Sequence, residues 1–160
     1  MLCGIVTAMT TTARPFSRLS PLQLQAVSEV FRTADAMRRT FGSLLEPHGL
    51  TMQQYNVLRI LRGGGGAALP TMEIAARMLE QTPGITRLLD RLEAKGLVSR
   101  ERCEDDRRQV LCSITPAGRK VLGELDAAVD GTDEALLGDL GDAELRTLVD
   151  ALRRIRHQID

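Results

Sequence analysis

The chain has 160 residues, with 21 basic and 21 acidic side chains and a formal net charge of zero; that length fits one domain and buries a core without staples. Cys3, Cys103 and Cys112 are too few and too scattered for a disulfide framework, and no apolar run is long enough to span a membrane. Aromatics are limited to Phe16, Phe31, Phe41 and Tyr55, so the core must come from Leu, Val, Ile, Met and Ala, a mix that suits helices.

Charge is uneven along the chain. Residues 1–76 carry 7 basic and 4 acidic groups, residues 77–120 carry 10 and 7, and residues 121–160 carry 4 and 10, or +3, +3 and −6. The neutral average therefore conceals a basic N-terminal and central part and an acidic end, and the modest excess predicts phosphate contacts from placed arginines rather than a broad basic surface. The opening MLCGIVTAM lacks a basic leader and a full hydrophobic region, which argues against a signal peptide and for the cytoplasm. Met9 is a second candidate start, and residues 1–19 are expected to be flexible.

Ser20-Pro21-Leu22-Gln23 is a capping box with Pro at the first helical position, and it predicts a long helix from there to about Leu45. A nearly continuous apolar stripe through Val27, Val30, Phe31, Ala34, Met37 and Phe41 is more than a small core needs, which suggests packing on a second copy. Pro47, His48 and Gly49 break this helix. Thr51 with Gln54 is a second capping box, for a helix through Tyr55, Leu58, Ile60 and Leu61 that stops at Gly63. Gly63 to Gly66 lacks the Gly-Lys-Ser/Thr sequel of a phosphate loop and reads as a plain loop. Leu69-Pro70 suggests a brief strand, and Thr71 the cap of a helix from Met72 to Leu79 with Ile74, Ala75 and Met78 inward.

Thr82-Pro83 reads as the sharp start of the next helix, the Thr hydroxyl capping and Pro at the first position. Ile85, Leu88, Leu89 and Leu92 fall on one apolar stripe, with Arg87 and Arg91 opposite and Thr86 on the flank. Lys95 and Gly96 end the helix. Val98–Glu104 and Gln109–Thr115 then flank Asp105-Asp106-Arg107-Arg108, which predicts a hairpin with a four-residue charged tip. In that register Cys103 faces Val110 and lies diagonal to Cys112, about 7–8 Å away and beyond comfortable disulfide reach. Thr115-Pro116 repeats the Thr-Pro helix start, for a helix to about Leu137. Leu145, Leu148, Val149, Leu152, Ile155 and Ile159 mark a last amphipathic helix.

Helix, turn, helix and charged hairpin in this order predict a major-groove reader with a lateral minor-groove probe. The run LLDRLEAKGLVSRERCEDDRRQVLCSITPAGRKVL, with its GLV-R strand, Asp-Arg-Arg tip and Thr-Pro-x-Gly helix entry, resembles the core of the multiple-antibiotic-resistance regulator (MarR) family of bacterial transcription factors. HGLTMQQYNVLRIL resembles that family's second helix. The resemblance spans roughly Pro21 to the C-terminus and implies that Arg108 enters the minor groove, that Asp106 orients it, and that Arg87 is the recognition-helix arginine. It further implies a small aromatic or phenolic effector, with a pocket drawing on Phe41, His48, Met52 and Tyr55. Oxidant-sensing members carry a cysteine early in the first long helix; this sequence has none there.

The expected fold is mainly α (α+β): a winged helix-turn-helix lobe over residues 50–118 with a two-stranded β-wing, flanked by dimerisation helices over 20–46 and 119–160, in one domain from 20 to 160. The candidate DNA-binding set is Thr82, Pro83, Gly84, Thr86, Arg87, Arg91, Asp106, Arg107 and Arg108, with double-stranded DNA and a second copy of the chain as partners. The expected function is that of a homodimeric transcriptional regulator, a repressor. The alternative is a winged-helix module that binds protein, and Arg107-Arg108 at the tip disfavours it. His48 and His157 are the only histidines, neither near a cysteine nor at metal-ligand spacing, so neither zinc nor a Cys–His nucleophile is expected. Glu104-Asp105-Asp106 sits in water, where carboxylates make poor general acids at neutral pH. No enzyme activity and no cofactor are predicted.

Overall fold

The structure, a computed structural model, describes residues 19–80, 84–103, 106 and 108–159. The chain divides into two compact units, residues 1–36 and 37–160, and helix α1 (Pro21–Leu45) runs through their junction. The predicted capping box opens it: Gln23 N–H donates to Ser20 Oγ at 3.2 Å, and Ser20 N–H to Gln23 Oε1 at 2.7 Å. In the first unit Leu22, Val27, Val30 and Phe31 are exposed. In the second, Phe41 and Leu45 are buried, with Met37 and Leu44 packed on the same core. A 3-10 turn (Glu46–His48) ends in Gly49 at φ 64°, the left-handed conformation that favours glycine.

Helix α2 (Met52–Gly63) starts at the second predicted box, with Gln54 N–H donating to Thr51 Oγ1 at 3.3 Å and Thr51 N–H to Gln54 Oε1 at 3.1 Å. Tyr55, Val57, Leu58 and Leu61 turn into the core. Gln54 is buried as well, and a buried amide must be paired; its Oε1 also accepts from Lys95 Nζ at 3.2 Å. After the glycine loop comes β1 (Leu69–Pro70), then α3 (Thr71–Arg77), α4 (Ile85–Ala94), β2 (Val98–Arg102) and β3 (Val110–Ile114). Among the described residues the strands form one antiparallel sheet in the order β1-β3-β2.

Three local expectations need correction. Thr71 does not cap α3: the N-cap is Pro70, and the Thr71 hydroxyl donates to Val110 O at 3.2 Å, tying the helix start to β3. That helix also ends at Arg77 rather than Leu79, because Met78 turns extended and Leu79 is left 79% exposed, with no buried surface to hold it in register. Helix α4 begins at Ile85 rather than Pro83. Gly84 is its N-cap at φ 96°, a conformation a helix interior cannot contain; Thr82 and Pro83 lie outside the described residues. The predicted stripe holds from there on, with Leu88, Leu89 and Leu92 buried and Ile85 packed against them. The predicted end holds too: Lys95 is the C-cap and Gly96 follows at φ 70°.

The hairpin pairs one residue out of the predicted register. Arg102 faces Val110 and Arg100 faces Cys112, while Cys103 N–H donates to Gln109 O at 3.0 Å and closes a five-residue tip instead of four. A one-residue slip changes which residues of the two strands share a face. Cys112, which is buried, shares its face with Arg100, and half-buried Cys103 lies on the other. The absence of a bridge between them stands on this geometry rather than on a diagonal distance.

Helix α5 (Pro116–Leu137) begins at the second Thr-Pro, with Gly118 N–H donating to Thr115 Oγ1 at 3.1 Å. Leu122, Leu125 and Val129 complete the core. Helix α6 (Asp142–Arg156) starts earlier than its apolar stripe, where Gly141 N–H donates to Glu144 Oε2 at 2.9 Å. No helix among the described residues is long and apolar enough to cross a membrane.

Candidate nucleic-acid interface

The core stripe of α4 fixes which residues it offers outward. With Leu88, Leu89 and Leu92 buried, Thr86, Arg87, Asp90 and Arg91 are exposed. The C-terminal end of the helix is held twice, by Lys95 Nζ donating to Gly49 O and Gln54 Oε1 and by Leu97, whose N–H donates to Leu92 O and whose carbonyl accepts from Thr115 N–H. Its exposed face is thus presented on a rigid element.

Beside that face is a cleft of about 530 Å³, walled by Thr71 and Met72 at the start of α3, Thr86 on α4, and Arg100, Arg108 and Gln109 from the hairpin. The site thereby gathers Thr86 and Arg108, predicted from opposite ends of the motif. Asp106 orders the tip, though not through the guanidinium: its Oδ1 accepts from the Arg108 backbone N–H at 3.0 Å and its Oδ2 from Gln109 Nε2 at 3.1 Å, while Gln109 N–H donates to Asp106 O at 2.9 Å. The carboxylate thus shapes the turn from which Arg108 projects. Arg107 lies outside the described residues.

The sequence reading missed Arg100. It sits mid-strand on β2 with its guanidinium against Asp90 and Glu93 of α4. The signal was present as a basic residue one strand away from two acids spaced i, i+3 on the helix, but choosing its partner required the strand register.

The four residues expected to line an effector pocket are not brought together. Met52 and Tyr55 share a groove of about 320 Å³ with Arg59, Ile60 and Leu79, and the Arg59 guanidinium lies 5.8 Å from the Tyr55 ring centroid. Burial pushes the Tyr55 hydroxyl above its ordinary pKa. Phe41 is instead buried in the core, and His48 is exposed, its Nδ1 3.8 Å from Glu124 Oε2.

Comparison with known proteins agrees with this arrangement. Residues 48–109, the stretch holding α2 to the wing tip, match the MarR family model. The chain is 37% identical over 138 residues to the HTH-type transcriptional regulator TtmR of Methylorubrum extorquens (strain PA1), covering 86% of this chain and 69% of that one. A crystal structure of a MarR transcription factor from Planctomyces limnophilus is 37% identical, with a TM-score of 0.65 over 85% of this chain and 98% of that one. A mutant MarR from E. coli complexed with operator DNA shares the fold, with a TM-score of 0.70 at 24% identity, covering 83% of this chain and 95% of that one. These relatives regulate transcription and are not enzymes, in agreement with the reading of the residues. The chain belongs to the MarR family of winged-helix transcriptional regulators.

Proposed function

We propose that the chain is a homodimeric repressor that binds a two-fold operator in double-stranded DNA and leaves it when a small aromatic effector binds. The observation that carries this is the exposure of Thr86, Arg87 and Arg91 on α4, with Thr86 and Arg108 lining one cleft. In this reading the helix face enters the major groove, where side chains reach base edges, and Arg108 enters the neighbouring minor groove. Gly84, the N-cap of α4, then lies at the helix end that approaches the phosphates, and Thr82, Pro83 and Arg107 are assigned to the same interface from the sequence. The winged-helix lobe takes in residues 50–118, and residues 20–46 and 119–160 supply the contacts between copies.

Support for the dimer comes from α6, where Leu148, Val149, Leu152 and Ile155 are each 40% exposed or more, a stripe that a second copy covers. The effector groove is the one holding Met52 and Tyr55 beside Arg59. Footprinting on the DNA flanking the chain's own gene, with phenolic compounds as competitors, tests the proposal. A protected two-fold site that a phenol releases supports it, and no protection at any concentration that saturates nonspecific DNA removes it.

A further inference from the structure

Arg100 is the most fully engaged cation among the described residues of the DNA-facing lobe. Its Nη1 lies 2.7 Å from Asp90 Oδ1; its Nε and Nη2 donate to Glu93 Oε2 at 2.8 and 2.5 Å. All three guanidinium nitrogens are therefore committed to two carboxylates, and these hydrogen bonds hold its pKa above the ordinary value for arginine. The side chain is 23% exposed against 50% and 41% for its partners, so it lies beneath them at the floor of the cleft that Thr86 and Arg108 wall. A guanidinium whose charge is offset by two carboxylates is a poor phosphate ligand. What it does is join the middle of β2 to one side of α4.

We propose that Arg100 is a positioning residue for DNA binding, a strut that fixes the roll of α4 against the wing so that Arg87 and Arg108 reach adjacent grooves together. The inference rests on the DNA-binding reading above. Two features make this more than an ordinary ion pair. Asp90 and Glu93 stand on the helix that is to approach phosphates, and the Arg100 guanidinium offsets their repulsion on the side nearest the wing. The strut also links the two readers directly: α4 carries Arg87, and β2 is the strand that leads into the tip bearing Arg108. With Arg100 removed, each reader keeps its own fold, α4 through its buried leucines and the tip through Asp106, but the angle between them is free.

The test uses the full chain, the operator defined by the wild-type footprint, and a scrambled duplex, titrated at several salt concentrations. Arg100→Met keeps the stem and removes the fork. It is expected to lower specific affinity about tenfold or more, leave scrambled-duplex affinity and the salt slope unchanged, and lose minor-groove protection at the wing while major-groove protection persists. Because a partly exposed ion pair adds little stability, its thermal midpoint should move by only a few degrees. In an Asp90→Asn/Glu93→Gln background the same substitution should cost little more, since the strut has already gone. Wild-type specific affinity in Arg100→Met, equal cost in both backgrounds, or a salt slope lower by about one phosphate would each overturn the proposal, the last by making Arg100 a direct contact. A wild-type chain that protects no DNA removes the DNA-binding reading itself; wild-type protection with an unaffected Arg100→Met removes only the strut.

Discussion

Gly118 shows how a motif can be legible while its reason is not. Thr-Pro-x-Gly reads as a helix entry, yet glycine is required by what lies across from it: a Cβ there would meet Leu97 O at 2.4 Å and Ile114 Cγ1 at 2.8 Å. The first contact is backbone and cannot give. Gly118→Ala should therefore destabilise the fold by about 1–3 kcal/mol, read as a lower urea midpoint, even though alanine is the better helix former. A second prediction separates two arginines. Arg108→Ala should lower affinity and flatten the salt dependence with little change in base preference, because minor-groove readout is degenerate. Arg87→Ala should lose on the order of 1–3 kcal/mol on the specific site and relax selectivity at one position per half-site. Titrations on specific and scrambled duplexes distinguish the two patterns, and wild-type behaviour in either variant ends that residue's assignment. The cysteines show what the residue pattern did not hold. Alternation places every other side chain on a face, but which face depends on the length of the tip, and that length is set by Asp106 bonding to Arg108 N–H and Gln109. Cys112 is buried, away from Cys103, and burial pushes its thiol above the ordinary pKa, so it should react only sluggishly with thiol reagents at neutral pH.

At the scale of elements, helix starts marked by side-chain caps were readable, and those set by tertiary contact were not. Ser20, Thr51 and Thr115 each cap the helix the sequence assigned to them, because the donor and acceptor are three residues apart. Thr71 has the same chemistry but a better partner in Val110 O, 39 residues away, and local pattern carries no trace of that. The long-range pair Arg62–Asp126 belongs to the same class. Arg62 Nη1 and Nη2 each donate at 2.8 Å to the two carboxylate oxygens, joining α2 to α5. The guanidinium holds the Asp126 carboxyl below its ordinary 3.8. A folded-state pKa below the unfolded one means that the pair stabilises the fold above the ordinary carboxylate value, and that this is lost as pH falls through the depressed value. Urea unfolding of Asp126→Asn should show a deficit against wild type at neutral pH that closes below about pH 4. The deficit should be small, since the Asp126 side chain is 43% exposed and water screens the pair. An unchanged gap down to pH 2 would mean the carboxylate's charge is not what matters there.

For the whole molecule, the division of charge and the distribution of apolar surface point the same way. The acidic excess gathers in residues 121–160, away in sequence from the arginines of α4 and the wing, so the C-terminal helices are poorly suited to approach phosphate. Helix α6 nonetheless exposes Leu148, Val149, Leu152 and Ile155 along one side, and none of its residues is buried. A helix whose apolar face finds no cover among the described residues suits a contact with a partner, and the proposed reading of two-fold DNA supplies that partner as a second copy. Light scattering should therefore report a dimer for the full chain. Truncation after Gly138 should give monomer or aggregate, and because aggregation alone is ambiguous, Leu152→Glu/Ile155→Glu supplies the cleaner variant: two charges on that stripe, with the core of α2, α4 and α5 untouched. It should remain helical, sediment as a monomer and lose specific affinity far more than affinity for scrambled duplex, since each copy then meets a half-site alone. If the double variant remains a dimer, α6 is not part of the contact between copies; if the truncated chain is a folded monomer that binds the operator as tightly as the full chain, the two-fold mode of binding is wrong.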